Sequence, residues 1–250
     1  MTEKAIHLKH NIMDRRTFLK TAGRGVAFVG VALAFPNLAF GSPNNSSNLQ
    51  EYCFKISRHK SIAIREMNTT PEQFIRENAD VEAVINGTYY GSNNKPEGIA
   101  YLAENHHFAT EKPEHISGYF SVNRNGDKIQ VTETLAGKLN DYFLVLGTHP
   151  LLVRDGKIHN QANGKRYGGR LAYRSAIGTK DNTDICFAVS TDEILMAEWA
   201  ERLRNTGYKG ALNLDGGPIS QMAIRNNDGR ISVKGKGTGN TKLVIFSYNR

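Results

Sequence analysis

The chain has 250 residues, of which 39% are hydrophobic and 22% charged, with two cysteines and a formal net charge of +8. This composition supports a folded core and excludes both a disordered chain and a disulfide-framework protein. Residues 1–41 carry six Lys/Arg and two acids, so half of the excess charge lies there and only +4 remains for the rest. No basic run with interleaved aromatics occurs, so we expect an anionic substrate or envelope surface and no nucleic-acid partner.

The N-terminal segment has the pattern of a twin-arginine export signal. Paired arginines in residues 14–20 (DRRTFLK) precede an apolar stretch that ends at Pro36 and falls short of the about 20 apolar residues that span a bilayer. Small residues flank Phe40, so we expect cleavage before Ser42, with an uncleaved anchor as the alternative. The sequence therefore predicts a periplasmic or secreted protein. It would meet the twin-arginine translocation machinery through residues 1–41 and keep no membrane span after cleavage.

The remainder is predicted to form one domain. Residues 42–48 (SPNNSSN) are a flexible spacer, and residues 49–250 show neither a second linker nor an internal repeat. Cys53 and Cys186 each lie in an apolar, strand-like run, which favours two buried small hydrophobic side chains. A disulfide formed after export is the alternative if the two strands are neighbours.

The first half of the domain predicts short strands with one helix. Residues 52–57 and 61–67 have the pattern of a β-hairpin. A short helix is predicted over Pro71 to Asn78, with Thr70 as its N-cap. Further strands are predicted at 81–86, 98–104, 118–123 and 128–134, the last two joined by a turn that contains Asn125-Gly126.

The second half contains the longest predicted helix, over residues 191–205. Ser190 and Glu193 have capping-box spacing, Trp199 lies on its apolar face as a core residue, and Gly207 ends it. Together with strands at 142–147, 170–178, 184–190, 211–215, 220–224 and 242–248, these elements predict an α+β domain on a mostly antiparallel or mixed β-sheet with few helices.

Polar side chains beside glycines occur at several predicted strand ends. Asn86 follows one strand in INGTYY, His149 another in LGTHP, and Asp215 a third in LNLDGG, while Arg174 lies in RSAIG. Glycine lets a backbone approach a ligand closely, although each cluster alone is also ordinary turn chemistry.

Taken in order, these motifs resemble the phosphodiester glycosidases from about Val81 to Tyr248. The resemblance implies a phosphodiester-glycosidase-like domain and an exported hydrolase that cleaves a sugar-1-phosphate diester in envelope glycans or related metabolites. Thr88 stands where the family usually has glycine, His149 where glycine is common before proline, and Pro218 follows the double glycine. The motifs are NGTYY (86–90), KPEGIAYL (95–102), GYFSVNRNG (118–126), PLLVRDGK (150–157), RSAIG (174–178) and LNLDGG (212–217).

The chemistry of such a cleavage assigns roles to three residues. Asp215 is the candidate catalytic carboxylate, and Arg174 is the candidate phosphate clamp, because its planar fork matches pairs of phosphate oxygens. Asn86 would bind a sugar hydroxyl or orient Asp215. The substrate-binding candidates are Thr88, Tyr89, Tyr90, His149, Gly216, Gly217 and Ser220.

Other functions remain open at this level. A non-catalytic polysaccharide-binding or exopolysaccharide-assembly protein would keep the cleft without needing Asp215. An oxidoreductase is disfavoured, because no Cys-x-x-Cys, nucleotide-binding glycine run or paired histidines at metal-ligand spacing occur. No cofactor is predicted, although Ca²⁺ is compatible with Asp215 and Asn86. A second catalytic carboxylate is not identified; Glu97 and Asp155 lie near motifs.

Overall fold

The computed structural model describes residues 48–91, 97–103, 106–108, 113–163 and 169–249. The predicted targeting segment and the spacer up to residue 47 lie outside these residues. The described strands are β1 Leu49–Lys55, β2 Lys60–Thr69, β3 Val81–Asn86, β4 Ile99–Leu102, β5 His106–Phe108, β6 Gly118–Asn123, β7 Ile129–Thr132, β8 Tyr142–Thr148, β9 Leu151–Arg154, β10 Lys157–Ile158, β11 Ser175–Thr179, β12 Asp184–Ser190, β13 Gly210–Asn213, β14 Gln221–Arg225, β15 Ile231–Gly235 and β16 Thr241–Asn249.

These strands form three sheets. Their orders are β1-β12-β11-β13-β9-β10, β15-β14-β3-β16-β2 and β5-β4-β8-β6-β7. Every strand pair within them is antiparallel. Two α-helices occur in the described residues, α1 (Pro71–Glu77) and α2 (Met196–Asn205). The predicted fold class, α+β with antiparallel sheets and few helices, is confirmed.

Alternating side chains place the cores on both faces of the sheets. In β12, Ile185 and Phe187 enter a core shared by all three sheets, whereas Cys186 and Ala188 face the layer that contains α2. A strand with apolar residues on both faces must be covered on both sides. Helix α1 covers the outer face of the sheet that contains β3, in a third core cluster. Each of the two helices therefore covers an apolar outer face of a sheet: α2 that of the sheet containing β12, and α1 that of the sheet containing β3.

Both predicted helices exist, but one begins later than expected. Helix α1 matches its prediction, and the Thr70 hydroxyl accepts a hydrogen bond from Gln73 N–H at 3.1 Å. Helix α2 begins at Met196 rather than at residue 191, so the predicted capping box at Ser190 is wrong. Ser190 is instead the last residue of β12, and its hydroxyl accepts a hydrogen bond from the Arg174 N–H at 2.8 Å. Trp199 is fully buried, as predicted.

None of the helices in the described part of the chain combines the length and the apolar character that a membrane span requires.

The predicted hairpin between residues 52–57 and 61–67 is wrong. Strand β1 pairs with β12, and β2 pairs with β16, so the two lie in different sheets. Local spacing favours the hairpin, but the apolar faces of both strands are satisfied better by distant partners. The predicted hairpin of β6 and β7 is present.

The two cysteines form a disulfide, so the favoured interpretation of two separate thiols is wrong. Cys53 and Cys186 are directly opposite each other in the β1–β12 ladder, at a sequence separation of 133. The bond joins the N-terminal strand to the middle of the domain. A long closed loop restricts the unfolded chain strongly, which favours the native state.

We expect the Cys53→Ala/Cys186→Ala double variant to lose about 2–4 kcal/mol of unfolding free energy. Urea denaturation of the oxidised protein, with and without prior reduction, measures the loss. Reduction should destabilise the wild type and leave the double variant unchanged. Equal stability of the oxidised wild type and the variant would contradict a stabilising bond.

Candidate functional site

The ends of several strands meet where the first two sheets face each other. Strand β13 ends at Asn213 beside the start of β11, since Ala176 pairs with Asn213. Strand β14 begins beside the end of β3, since Met222 pairs with Ile85. In an antiparallel pair, the end of one strand always adjoins the start of its neighbour. Residues from distant motifs therefore meet at one edge of the two sheets, formed by the ends of β3 and β13 and the starts of β11 and β14. We call this edge the rim.

Asn86, at the end of β3, joins these elements. Its buried side chain donates from Nδ2 to the Asp215 carbonyl at 2.7 Å, while its Oδ1 accepts the Ser175 hydroxyl at 2.7 Å and the Gln221 N–H at 3.3 Å. Gly87 follows it, and a Cβ there would lie 2.6 Å from a Leu243 methyl carbon, so the turn requires glycine. Asn86 therefore fixes the main chain at Asp215.

Asp215 lies partly buried just after β13. Its N–H donates to the Gly87 carbonyl at 2.9 Å, and its Oδ1 accepts the Gly216 N–H at 2.8 Å. Burial is the main reason why the pKa of Asp215 is raised to about 7; the Gly216 N–H opposes this rise, and the charge of Glu97 adds to it. A carboxyl group with a pKa near 7 exchanges protons readily at neutral pH.

Arg174 precedes β11 and is 7% exposed. Its Nε donates to the Ile194 carbonyl at 3.2 Å and one Nη to the Arg170 carbonyl at 2.6 Å. No carboxylate among the described residues forms an ion pair with it. Burial lowers the pKa of Arg174, Tyr89 raises it, and the charge of Arg170 lowers it further. An arginine remains protonated even so, which leaves a buried positive charge with no acidic partner among the described residues.

The two adjacent tyrosines of the NGTYY motif point in different directions. The Tyr89 ring stacks on His149 with centroids 4.5 Å apart and planes 3° apart, and Asn213 Nδ2 donates to the Tyr89 hydroxyl. Tyr90 instead donates from its hydroxyl to Glu66 on β2 at 3.3 Å, and burial raises its pKa. The contacts of Tyr89 thus lie at the rim with Asn213, while those of Tyr90 lead to the second sheet.

The double glycine forms a tight loop rather than an open anion cradle. The Gly216 N–H is used by the Asp215 carboxylate and the Gly217 N–H by the Tyr173 carbonyl at 2.8 Å. Gly217 has φ 65°, a left-handed conformation that favours glycine. Neither amide is available to a phosphate, so Gly216 and Gly217 do not offer a substrate their N–H groups in this structure. Ser220 follows this loop and is fully buried.

Three buried polar groups at the rim have no hydrogen-bond partner among the described residues. They are the Thr88 and Ser220 hydroxyls and the Asn213 Oδ1. Such atoms are uncommon in folded proteins and often mark a place for water or a bound group. Thr88 precedes Tyr89 in the segment after β3, Asn213 is the last residue of β13, and Ser220 follows the double-glycine loop.

The family model of the phosphodiester glycosidases matches residues 79–244, which is more than half of the chain. The chain belongs to the phosphodiester glycosidase family. The family predicted from the motifs is thereby confirmed.

Two solved structures have a similar fold. The zebrafish N-acetylglucosamine-1-phosphodiester alpha-N-acetylglucosaminidase catalytic domain, auto-inhibited by its pro-peptide, has a TM-score of 0.59 at 14% identity, over 83% of this chain and 85% of that one. A hypothetical protein from Synechocystis has a TM-score of 0.51 at 15% identity, over 83% of this chain and 61% of that one. These identities show a shared fold alone. No curated protein sequence matches the chain significantly.

The geometry of the site does not bring together the calcium ligands that the sequence suggested. Both acceptor positions of Asn86 Oδ1 are taken by Ser175 and Gln221, so this oxygen is not presented beside the Asp215 carboxylate. Among the described residues, a metal-like cluster occurs at Cys53, Asp184 and Cys186. The two sulfurs of that cluster are bonded to each other, so it is not a metal site.

Two residues of this site are absent from the sequence-based candidates. Asn213 contacts Tyr89, and Ser175 contacts Asn86. A usable pattern existed for Asn213, since it is two residues before Asp215 and strand alternation puts such residues on one face. No comparable pattern existed for Ser175, whose partner is 89 residues away.

Proposed function

We propose that this chain is an exported hydrolase that cleaves a glycosyl phosphodiester, with Asp215 and Arg174 as its reactive pair. The observation that carries the proposal is the joint position of a desolvated acid and a buried guanidinium around residues 86–89. The Asp215 N–H donates to the Gly87 carbonyl, and the two neighbours of Arg174 in sequence contact the same region. The Tyr173 carbonyl accepts the Gly217 N–H, and the Ser175 hydroxyl donates to Asn86 Oδ1. A buried cation without an acidic partner suits a ligand that brings its own negative charge, as a phosphodiester does.

In the proposed reaction, Arg174 holds the phosphate oxygens and Asp215 acts as the general base. Asp215 takes a proton from water as the water oxygen bonds to the anomeric carbon. The bond from that carbon to the phosphate oxygen breaks, and its electron pair leaves with the phosphomonoester. Phosphate is a good leaving group and needs little protonation, so a single base can serve. A pKa of about 7 on Asp215 matches a base that works near neutral pH.

The Tyr89–His149 stack supports binding of a sugar at this position. His149 is buried, whereas Tyr89 is partly exposed, so Tyr89 is the ring that a substrate can reach. Aromatic rings present an apolar face and a polar edge, which suits a sugar ring with its hydroxyl groups. We propose that Tyr89 contacts the sugar and that His149 holds Tyr89 in place.

We also propose that the protein acts in the periplasm or after secretion. The Cys53–Cys186 disulfide supports this location, because structural disulfides persist in oxidising compartments. Cell fractionation of the wild type and the Arg15→Lys/Arg16→Lys variant tests it. The wild type should reach the periplasm or medium, and the variant should accumulate in the cytoplasm. Equal distribution of both would overturn the twin-arginine route.

The hydrolase proposal is tested with synthetic glycosyl phosphodiesters that differ in their sugar. Exported wild-type protein should release free sugar and a phosphomonoester, followed by ¹H and ³¹P NMR. In H₂¹⁸O, the label should enter the sugar and not the phosphate, because the sugar carbon is attacked. Failure to turn over any diester, with glycan binding intact, would favour the non-catalytic polysaccharide-binding or assembly protein.

A further inference from the structure

We infer that Glu97 is the second carboxylate of this site and acts through Asp215 as a positioning residue, an inference that rests on the proposed hydrolysis. Glu97 lies two residues before β4 and is partly buried. It lies within the KPEGIAYL motif, but nothing in its spacing along the sequence relates it to Asp215. The structure supplies that relation.

The main-chain N–H groups of both acids are hydrogen-bonded to the same short segment of backbone. The Asp215 N–H donates to the Gly87 carbonyl at 2.9 Å, and the Glu97 N–H donates to the Tyr89 carbonyl at 2.8 Å. The two accepting residues are two positions apart. Glu97 and Asp215, which are far apart in sequence, are thereby held on one turn of chain.

The position of Glu97 is fixed by the glycine that follows it. A Cβ at Gly98 would lie 2.6 Å from the Gly147 carbonyl oxygen and 3.1 Å from the Thr88 Cβ. The chain after Glu97 is therefore pressed against Thr88 and β8, and β4 pairs with β8 at Ile99. This close packing restricts where the backbone of Glu97 can lie.

A negative charge near a partly buried carboxyl group disfavours the ionised form of that group. Burial contributes most to the raised pKa of Asp215, and the negative charge of Glu97 adds to it. A higher pKa makes Asp215 a stronger base toward water, and Glu97 therefore improves the base without touching substrate. The other titratable groups around residues 86–89 are Tyr89, His149, His115 and Arg174.

The decisive experiment follows the titration of Asp215 itself and needs no substrate. Protein labelled with ¹³C-aspartate is titrated by NMR, and the Asp215 carboxyl signal is identified by its loss in Asp215→Asn. We expect Glu97→Gln to lower the titration midpoint of Asp215 by roughly half to one pH unit. Glu97→Asp, which keeps the charge, should retain most of the elevated midpoint. Glu193→Gln, at an exposed acid, is the matched control and should change nothing.

Activity provides the second measurement. In Glu97→Gln, the acidic limb of the kcat/KM profile should move to lower pH together with the NMR midpoint, and the plateau should fall several-fold. An unchanged Asp215 midpoint in Glu97→Gln would overturn the inference, even if activity were lost. A shifted midpoint in a protein that hydrolyses no diester would support the pairing of the acids and reject the proposed function.

Discussion

Asp215→Asn is expected to lower kcat/KM for a glycosyl phosphodiester by roughly 10²–10⁴-fold, the usual contribution of a positioned general base. Asparagine keeps the size of the side chain but cannot take a proton from water. Because Arg174 is untouched, binding should survive, and the loss should appear in kcat rather than in KM. Steady-state kinetics and calorimetric titration with a non-hydrolysed analogue separate the two effects.

The same variant has a stability profile that shows whether it is folded. The native pKa of Asp215 is about 7, well above the value near 4 of an unfolded chain. Below about pH 4 both states are protonated, whereas between pH 4 and 7 the unfolded state alone releases the proton, so wild-type stability falls as pH rises. Asp215→Asn avoids this penalty.

We therefore expect Asp215→Asn to be more stable than the wild type above pH 7, by roughly 4 kcal/mol, and equally stable near pH 4. Thermal unfolding at both pH values measures the difference. A variant that is less stable than the wild type at pH 8 would show that burial does not destabilise the ionised form of Asp215. Loss of activity in such a variant would then be no evidence for a catalytic role.

Arg174→Met is the second change with a large expected effect, a loss of roughly 10²–10³-fold in kcat/KM. Methionine fills similar space but provides no charge for the phosphate. KM should rise together with the fall in kcat, since Arg174 would contact the phosphate both before and during bond cleavage. Arg174→Lys should recover only part of the loss, because an ammonium group cannot match two phosphate oxygens at once.

Controls for Arg174 concern folding and ligand binding. The Ile194 and Arg170 carbonyls lose donors in Arg174→Met, which costs about 1 kcal/mol each. Arg58→Met, at an exposed arginine, should alter neither stability nor kinetics. A phosphomonoester product should raise the melting temperature of the wild type and not that of Arg174→Met. Equal stabilisation of both proteins would place the phosphate elsewhere.

Much of the fold was accessible from local patterns. Strand periodicity found β3, β6, β8 and β12 close to their true bounds, and Thr70-Pro71 marked the start of α1 correctly. These features depend on residues within a few positions of one another, so local propensity is enough to determine them. The hairpin of β1 and β2 failed because strand partners are chosen by burial across the whole domain.

For this protein, the sequence by itself determined the family, the antiparallel α+β class and the polar residues at the strand ends. Only the tertiary structure decided which of those residues share a site, and what each already bonds to. It gave the double-glycine amides to Asp215 and Tyr173, joined Cys53 to Cys186, and hydrogen-bonded the main chains of Glu97 and Asp215 to the same segment, residues 87–89. The physical reason is that hydrogen-bond partners and desolvation depend on contacts between residues that lie far apart along the chain, where periodicity and spacing carry no information.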